Sequence, residues 1–124
     1  MSLPSDLKYT KDHEWIATDG ELSTVGVTRH AADALGDVVY LDLPAVGETI
    51  TAGDTCGEIE STKSVSDLFA PADGEVTEIN DAAVAEPGLV NSDPFGAGWL
   101  FRMRITGTPQ LLNATAYAAL TEGA

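Results

Sequence analysis

Lysine is scarce in this chain. It occurs only at Lys8, Lys11 and Lys63, so EIESTKSVSDL, Glu58 to Leu68, carries the sole ammonium of the central stretch that reads as strands. An amine has two chemical uses in such a place. A Schiff-base or general-base lysine must be desolvated to lower its pKa, yet Ser61, Thr62 and Ser64 beside Lys63 are small and polar. Covalent attachment of a swinging cofactor asks for the opposite, an exposed amine on a rigid tip that can enter another protein's active site. A lysine at a β-turn is most often plain solvated surface. Against that stand its isolation, its place at the seam of a duplicated unit, and a local pattern of carboxylates at Glu58, Glu60 and Asp67 that a modifying enzyme can read.

The other reactive side chains form no catalytic pattern. His13 and His30 have no serine or cysteine nucleophile arranged with them, and both read as structural or surface residues. Cys56 is the only cysteine, which excludes an intrachain disulfide, and no Cys/His cluster has zinc spacing. The GAG at Gly96 to Gly98 is too short for a phosphate loop and reads as a turn; Trp15 and Trp99 read as core or rim aromatics. No catalytic or metal-ligating residue is expected.

Six basic against twenty acidic side chains leave a formal charge of −14, which argues against nucleic acid or an anionic membrane surface as partner. Basic protein surfaces or cations fit better. The start MSLPSDLKYT lacks the patterns of signal and transit peptides, and no apolar run approaches the ~18 residues of a membrane span. These features and the lone cysteine predict a cytoplasmic protein.

The elements that must position Lys63 follow from periodicity and punctuation. Residues Glu21 to Thr28 read as a strand. Thr28 is placed to cap a short helix with Ala31, Ala32 and Leu35 on one face, closed by Gly36, and DVVYLDLP continues as a strand. From there to Asn91 the pattern predicts short strands separated by turns, an all-β body, with Trp99 to Ile105 a further strand. Thr108-Pro109 starts a helical tail by capping logic; Leu111, Leu112, Tyr117 and Leu120 are expected to face the body, with Asn113 as the candidate break into two short helices.

An internal repeat organises the middle of the chain. Val38 to Asp54 and Val65 to Asp81 align without a gap, matching Val38 with Val65, Leu41 with Leu68, Pro44-Ala45 with Pro71-Ala72, Gly47-Glu48 with Gly74-Glu75, and Asp54 with Asp81. Two copies are too few for a solenoid; they predict two similar β-units packed about an approximate two-fold axis. Lys63 falls in their connection, at a hairpin tip, with Ile59, Val65 and Leu68 expected to anchor its arms in the core.

The blocks YTKDHEW, GVTRHAADALGDVVYLDLPAVGE, ESTKSVSDLFAPADGEV, LVNSDPFGAGWL and LLNATAYAAL together resemble the glycine cleavage system H proteins in order and spacing. The resemblance implies a single domain over residues 1–124, with a lipoyl hairpin at about 56–70 and a helical tail at about 108–121. The implied fold is mostly β: a lipoyl-domain-like barrel-sandwich hybrid of two antiparallel sheets with pseudo-two-fold symmetry, short peripheral helices and a C-terminal helix. It further implies a non-catalytic carrier in glycine catabolism and one-carbon metabolism, a monomer with lipoate in amide linkage on Lys63. The arm would accept the aminomethyl group of glycine from a pyridoxal-phosphate decarboxylase (P protein) and present it to a tetrahydrofolate-dependent aminomethyltransferase (T protein). Dihydrolipoamide dehydrogenase (L protein) would reoxidise it. Glu60 and Gly74 match positions associated with recognition by lipoate-attaching enzymes; Gly74 also reads as a turn glycine. For docking of the loaded arm, the resemblance points to Glu14 and Asp67 as partners of its ammonium. Asp12 is a third carboxylate, and Val27 with Leu35 form an apolar wall.

Three other classes are weighed against this one. Biotin carriers usually flank their lysine with methionines, where this chain has Thr62 and Ser64. Lipoyl domains of 2-oxo acid dehydrogenases lack the HEW and NSDPFGAGW blocks. A β-sandwich binding protein with an unmodified Lys63 remains open on charge and pattern alone.

Overall fold

The computed structural model describes residues 7–106 and 111–122. Nine strands and four helices follow in the order β1 (Lys8–Tyr9), β2 (Glu14–Asp19), β3 (Leu22–Val27), α1 (Arg29–Leu35), β4 (Val38–Asp42), β5 (Thr49–Ile50), β6 (Thr55–Ser61), β7 (Val65–Phe69), β8 (Gly74–Ile79), α2 (Asp81–Ala85), α3 (Leu89–Ser92), β9 (Phe101–Ile105) and α4 (Ala114–Glu122) among the described residues. Every strand pairing is antiparallel, in a six-stranded sheet ordered β1-β2-β3-β9-β8-β5 and a three-stranded sheet ordered β4-β6-β7. Lys8 therefore lies in a strand too, although Lys63 is the only lysine beyond β1 and the turn after it.

The two repeats are visible as architecture. β4 and β7 flank β6 in the small sheet, while β5 and the start of β8 pair in the large one, Thr49 opposite Glu75 and Ile50 opposite Gly74. Each repeat is thus one strand of the small sheet, a turn, and one strand of the large sheet. Inward residues of both sheets meet in one apolar core that includes Val25, Val27, Leu41, Ile59, Leu68, Val76, Phe101 and Met103. Its burial is the main favourable term for a domain of this size.

α1 forms as its punctuation predicts. The Thr28 side chain accepts from the Ala31 N–H, Gly36 closes the helix at φ 80°, and Ala32 and Leu35 face the core. The chain departs from an all-β body at α2 and α3. Asn80 caps α2 by accepting from the Ala83 N–H, and the alanine-rich DAAVA that follows has stronger helix than strand propensity. Val65 also departs from expectation. It is 55% exposed, because Leu68 points inward and strand alternation turns a residue three positions away to the opposite face.

The tail is one helix among the described residues, and Thr108-Pro109 lies outside them. Asn113 is the N-cap of α4, its side chain accepting from the Ala116 N–H at 2.8 Å, so it starts the helix rather than breaking it. Leu112 bridges to Tyr9, and Tyr117 is fully buried, stacked on Tyr9 at 4.9 Å. Leu120, one turn beyond, is 40% exposed and borders a groove with Pro71 and Leu112, so it faces the body without being buried in it. Among the described residues no helix is long and apolar enough to cross a membrane.

Candidate functional site

Thr62, Lys63 and Ser64 form the connection between β6 and β7. One hydroxyl organises it: Ser61 Oγ accepts from the Lys63 and Ser64 N–H groups at 3.2 and 3.1 Å and donates to the Ser64 carbonyl at 3.2 Å. The Ser61 N–H closes the turn on the same carbonyl at 2.8 Å, and the Thr62 N–H donates to the Asp37 carbonyl at 3.0 Å. The tip is therefore exposed yet fixed, both within itself and to the loop after α1.

That loop has its own anchor. Asn91, on α3, donates to the Gly36 carbonyl at 2.7 Å and accepts from the Val38 N–H at 2.8 Å. The Lys63 stem lies against Gly36, where an added Cβ would stand 2.9 Å from Lys63 Cε. Sequence reasoning missed Ser61, Asp37 and Asn91 as supports. Ser61 has a local signal, a serine two residues before the tip able to form a side-chain turn; the other two act through contacts distant in sequence and have none.

Beside the hairpin opens a cleft of about 520 Å³. Asp12, Glu14, Val27, Leu35 and Asp67 all line it, so the five residues expected to act together there are brought together. Lys11, His13 and Phe69 also line it, and no reading of the sequence had singled out Lys11 or Phe69. Val27 and Leu35 are buried and supply its apolar floor, whereas Asp12 and Asp67 are exposed.

Glu14 is 2% exposed. Burial pushes its carboxyl up to about 8; a hydrogen bond from the Thr10 hydroxyl opposes this, the charge of Asp12 adds to it, and a backbone hydrogen bond from Phe69 opposes it. A carboxyl in this state is largely protonated at neutral pH and ionises readily once a cation enters the cleft. His13 sits at the rim with φ 65°, its Nδ1 2.7 Å from the Tyr117 hydroxyl and its ring 4.6 Å from that of His30. Burial and then the charge of His30 lower its pKa, against the pull of Asp12. Cys56 is half-buried, and burial, reinforced by Glu14 and Glu48, pushes its thiol up to about 12.

Glu60 lies on β6, half-buried between Tyr40 of β4 and Val65 of β7. Gly74 is no turn glycine. It opens β8 with an ordinary backbone, opposite Ile105, and an added Cβ would stand 2.2 Å from the Arg104 carbonyl oxygen and 2.8 Å from Met103 Cε. Close approach of a neighbouring strand, not turn geometry, accounts for the glycine.

Two antiparallel sheets with a lysine-tipped hairpin joining two repeats define the class: a lipoyl-domain-like barrel-sandwich hybrid. A family model described as glycine cleavage H-protein matches residues 7–123. The glycine cleavage system H protein of Beutenbergia cavernae is 62% identical over 123 residues, covering 99% of each chain. That of Streptomyces coelicolor is 60% identical over 122 residues, covering 96% of this chain and 97% of the other. A crystal structure of a glycine cleavage system H protein from Mycobacterium marinum matches with a TM-score of 0.91 at 49% identity, covering 98% of this chain and 100% of that one. The chain belongs to the glycine cleavage H-protein family, a carrier component of that system rather than a catalytic enzyme.

Proposed function

We propose that this chain is the lipoyl-carrying shuttle of the glycine cleavage system, with lipoate in amide linkage on Lys63. Its partners are then the P protein, the T protein, the L protein and a lipoate-attaching enzyme, met by a cytoplasmic monomer. The observation that carries this reading is the pairing of an exposed lysine on a tied hairpin tip with an adjacent cleft that holds a buried carboxyl. The lipoyl group, once attached, supplies a redox-active disulfide that takes up the aminomethyl cargo of glycine.

The chain's own residues do the rest. The Ser61 turn and its tie to Asp37 hold the attachment point out from the sheets, which confines the arm's base and raises its effective concentration at a docked enzyme. In the cleft, Glu14 and Asp67 bind the ammonium of the cargo, with Asp12 at the rim. Val27 and Leu35 exclude the water that would decompose the cargo. Glu60, next to the tip, is read by the attaching enzyme, and Gly74 serves that recognition by letting β8 and β9 pack.

Intact and peptide mass spectrometry after treatment with a lipoate-attaching enzyme and lipoate tests the reading. A lipoyl mass increment confined to Lys63 is expected. No increment, with the enzyme active on a control lipoyl domain, would return Lys63 to an ordinary surface lysine and favour a binding module.

A further inference from the structure

The outer face of the small sheet carries an apolar seat next to Lys63. Tyr40 stands opposite Glu60, and Glu60 opposite Val65, so the three form one row across β4, β6 and β7. A register shift between Val38 and Tyr40 turns a second β4 residue outward. Val39, Tyr40 and Val65 are 54%, 52% and 55% exposed. Two residues along, Asp42, Glu58 and Asp67 are in register as the next row, its last member on the edge strand β7, where Asp67 also borders the cleft. Among the described residues none of the four carboxylates of these rows is ion-paired.

An aromatic and two branched side chains about the central carboxylate of Glu60, with a rim of unpaired like charges along one side, have the anatomy of a docking surface. The rim excludes a second copy of this chain as occupant, since self-pairing would set carboxylates against carboxylates. It calls instead for a protein surface with an apolar depression bordered by arginine or lysine. Which enzyme brings that surface follows from reach. Enzymes acting on a finished arm meet its far end, whereas an attaching enzyme must bring its reaction centre to Lys63 Nζ and cover what surrounds it.

Resting on the proposed function, we infer that Val39, Tyr40 and Val65 around Glu60 form the seat gripped by the lipoate-attaching enzyme. There the deprotonated Nζ attacks the carbonyl carbon of an activated lipoyl donor, a mixed anhydride with a nucleoside monophosphate. The C–N bond forms, the bond to the phosphate oxygen breaks, the monophosphate leaves with the electron pair, and one proton passes to solvent. Tyr40, Val39 and Val65 touch none of these atoms; they are positioning residues.

The test follows the initial rate of lipoyl transfer to the unmodified full chain by intact mass, as a function of chain concentration. Y40T/V65T is expected to raise KM roughly tenfold with little change in kcat, and added salt to raise the KM of the parent. The control Val46→Thr, an exposed valine elsewhere, should leave KM alone. Val65→Thr by itself serves if the double variant melts early. An unchanged KM in the folded double variant overturns the seat, as does a parent dimer in sedimentation that the variant disperses. A rise in the KM of the decarboxylase for the lipoylated variant as large as that for lipoyl transfer overturns the assignment to the attaching enzyme. Failure of the parent itself to take up lipoate at Lys63 would instead sink the carrier reading.

Discussion

Thr10 and Glu14 hold one another across a single turn: the Thr10 hydroxyl donates to Glu14 Oε1 at 3.2 Å and accepts from the Glu14 N–H at 3.2 Å. This reciprocal pair keeps a buried carboxyl in place without an ionic partner. Its folded pKa, about 8, is raised from an ordinary 4.5, so between those values the folded state binds a proton that the unfolded chain does not. Stability from this group is full below pH ~4.5 and is lost as pH rises through ~8. The fall is expected to be on the order of a few kcal/mol. Denaturant titrations from pH 5 to 9 should show it in the parent and a flatter profile in Glu14→Gln; parallel profiles would refute the assignment.

The same carboxyl sets a pH dependence for the proposed cargo site. An ammonium pairs with the ionised form of Glu14, and docking below pH ~8 must first expel its proton. The protected lifetime of the aminomethyl-loaded protein should therefore lengthen from pH 6 to 8.5. In Glu14→Gln it should be short and nearly independent of pH, and Asp67→Asn should shorten it while keeping the slope. A loaded-state lifetime, followed by release of ammonia, that is unaltered in both variants would remove the cleft from the mechanism.

The parts of this molecule legible in its sequence are those written in local chemistry. Thr28 and Gly36 bound α1 through capping rules, the repeat announces two equivalent β-units, and a lone lysine at their seam marks the tip. What escaped is of two kinds, local signals outweighed by the surrounding strand-and-turn pattern and contacts distant in sequence. Asn80 is a cap-type residue and DAAVA favours a helix, yet they sit in a run of short strands, and the odd spacing of Val65 and Leu68 already sets them on opposite faces of one strand. Asn91 supports the tip from another helix, and the burial of Glu14 is invisible in a residue type usually found outside.

Gly74 is expected to be intolerant of any side chain. An alanine there would drive its Cβ into the Arg104 carbonyl oxygen, forcing β8 and β9 apart at a cost of about 2–4 kcal/mol. Gly74→Ala should lower the denaturant midpoint, and its lipoylation should fall only in proportion to the unfolded fraction. Normal stability with lost lipoylation would instead make Gly74 a direct recognition element.

Removing the Ser61 hydroxyl should loosen the tip without unfolding the body. Ser61→Ala deletes both acceptor bonds to the Lys63 and Ser64 N–H groups, and these are exposed to water that replaces them. The stability loss should be at most about 1 kcal/mol, while amide exchange at Lys63 and Ser64 accelerates. If exchange at those two positions is unchanged, the hydroxyl does not rigidify the turn.

Lys63→Ala separates carrier function from fold. The side chain is exposed and forms no ion pair among the described residues, so its loss should change stability by less than about 0.5 kcal/mol. Its stem lies against Gly36, and that contact is an alkyl chain on a backbone rather than buried core. The variant should therefore melt with the parent, take up no lipoate, and support no glycine–carbon dioxide exchange. Lipoate uptake at Lys8 or Lys11 in its place would show that the attaching enzyme reads the amine rather than the hairpin. A large drop in melting temperature would show that the lysine belongs to the fold and would return the tip to structural duty.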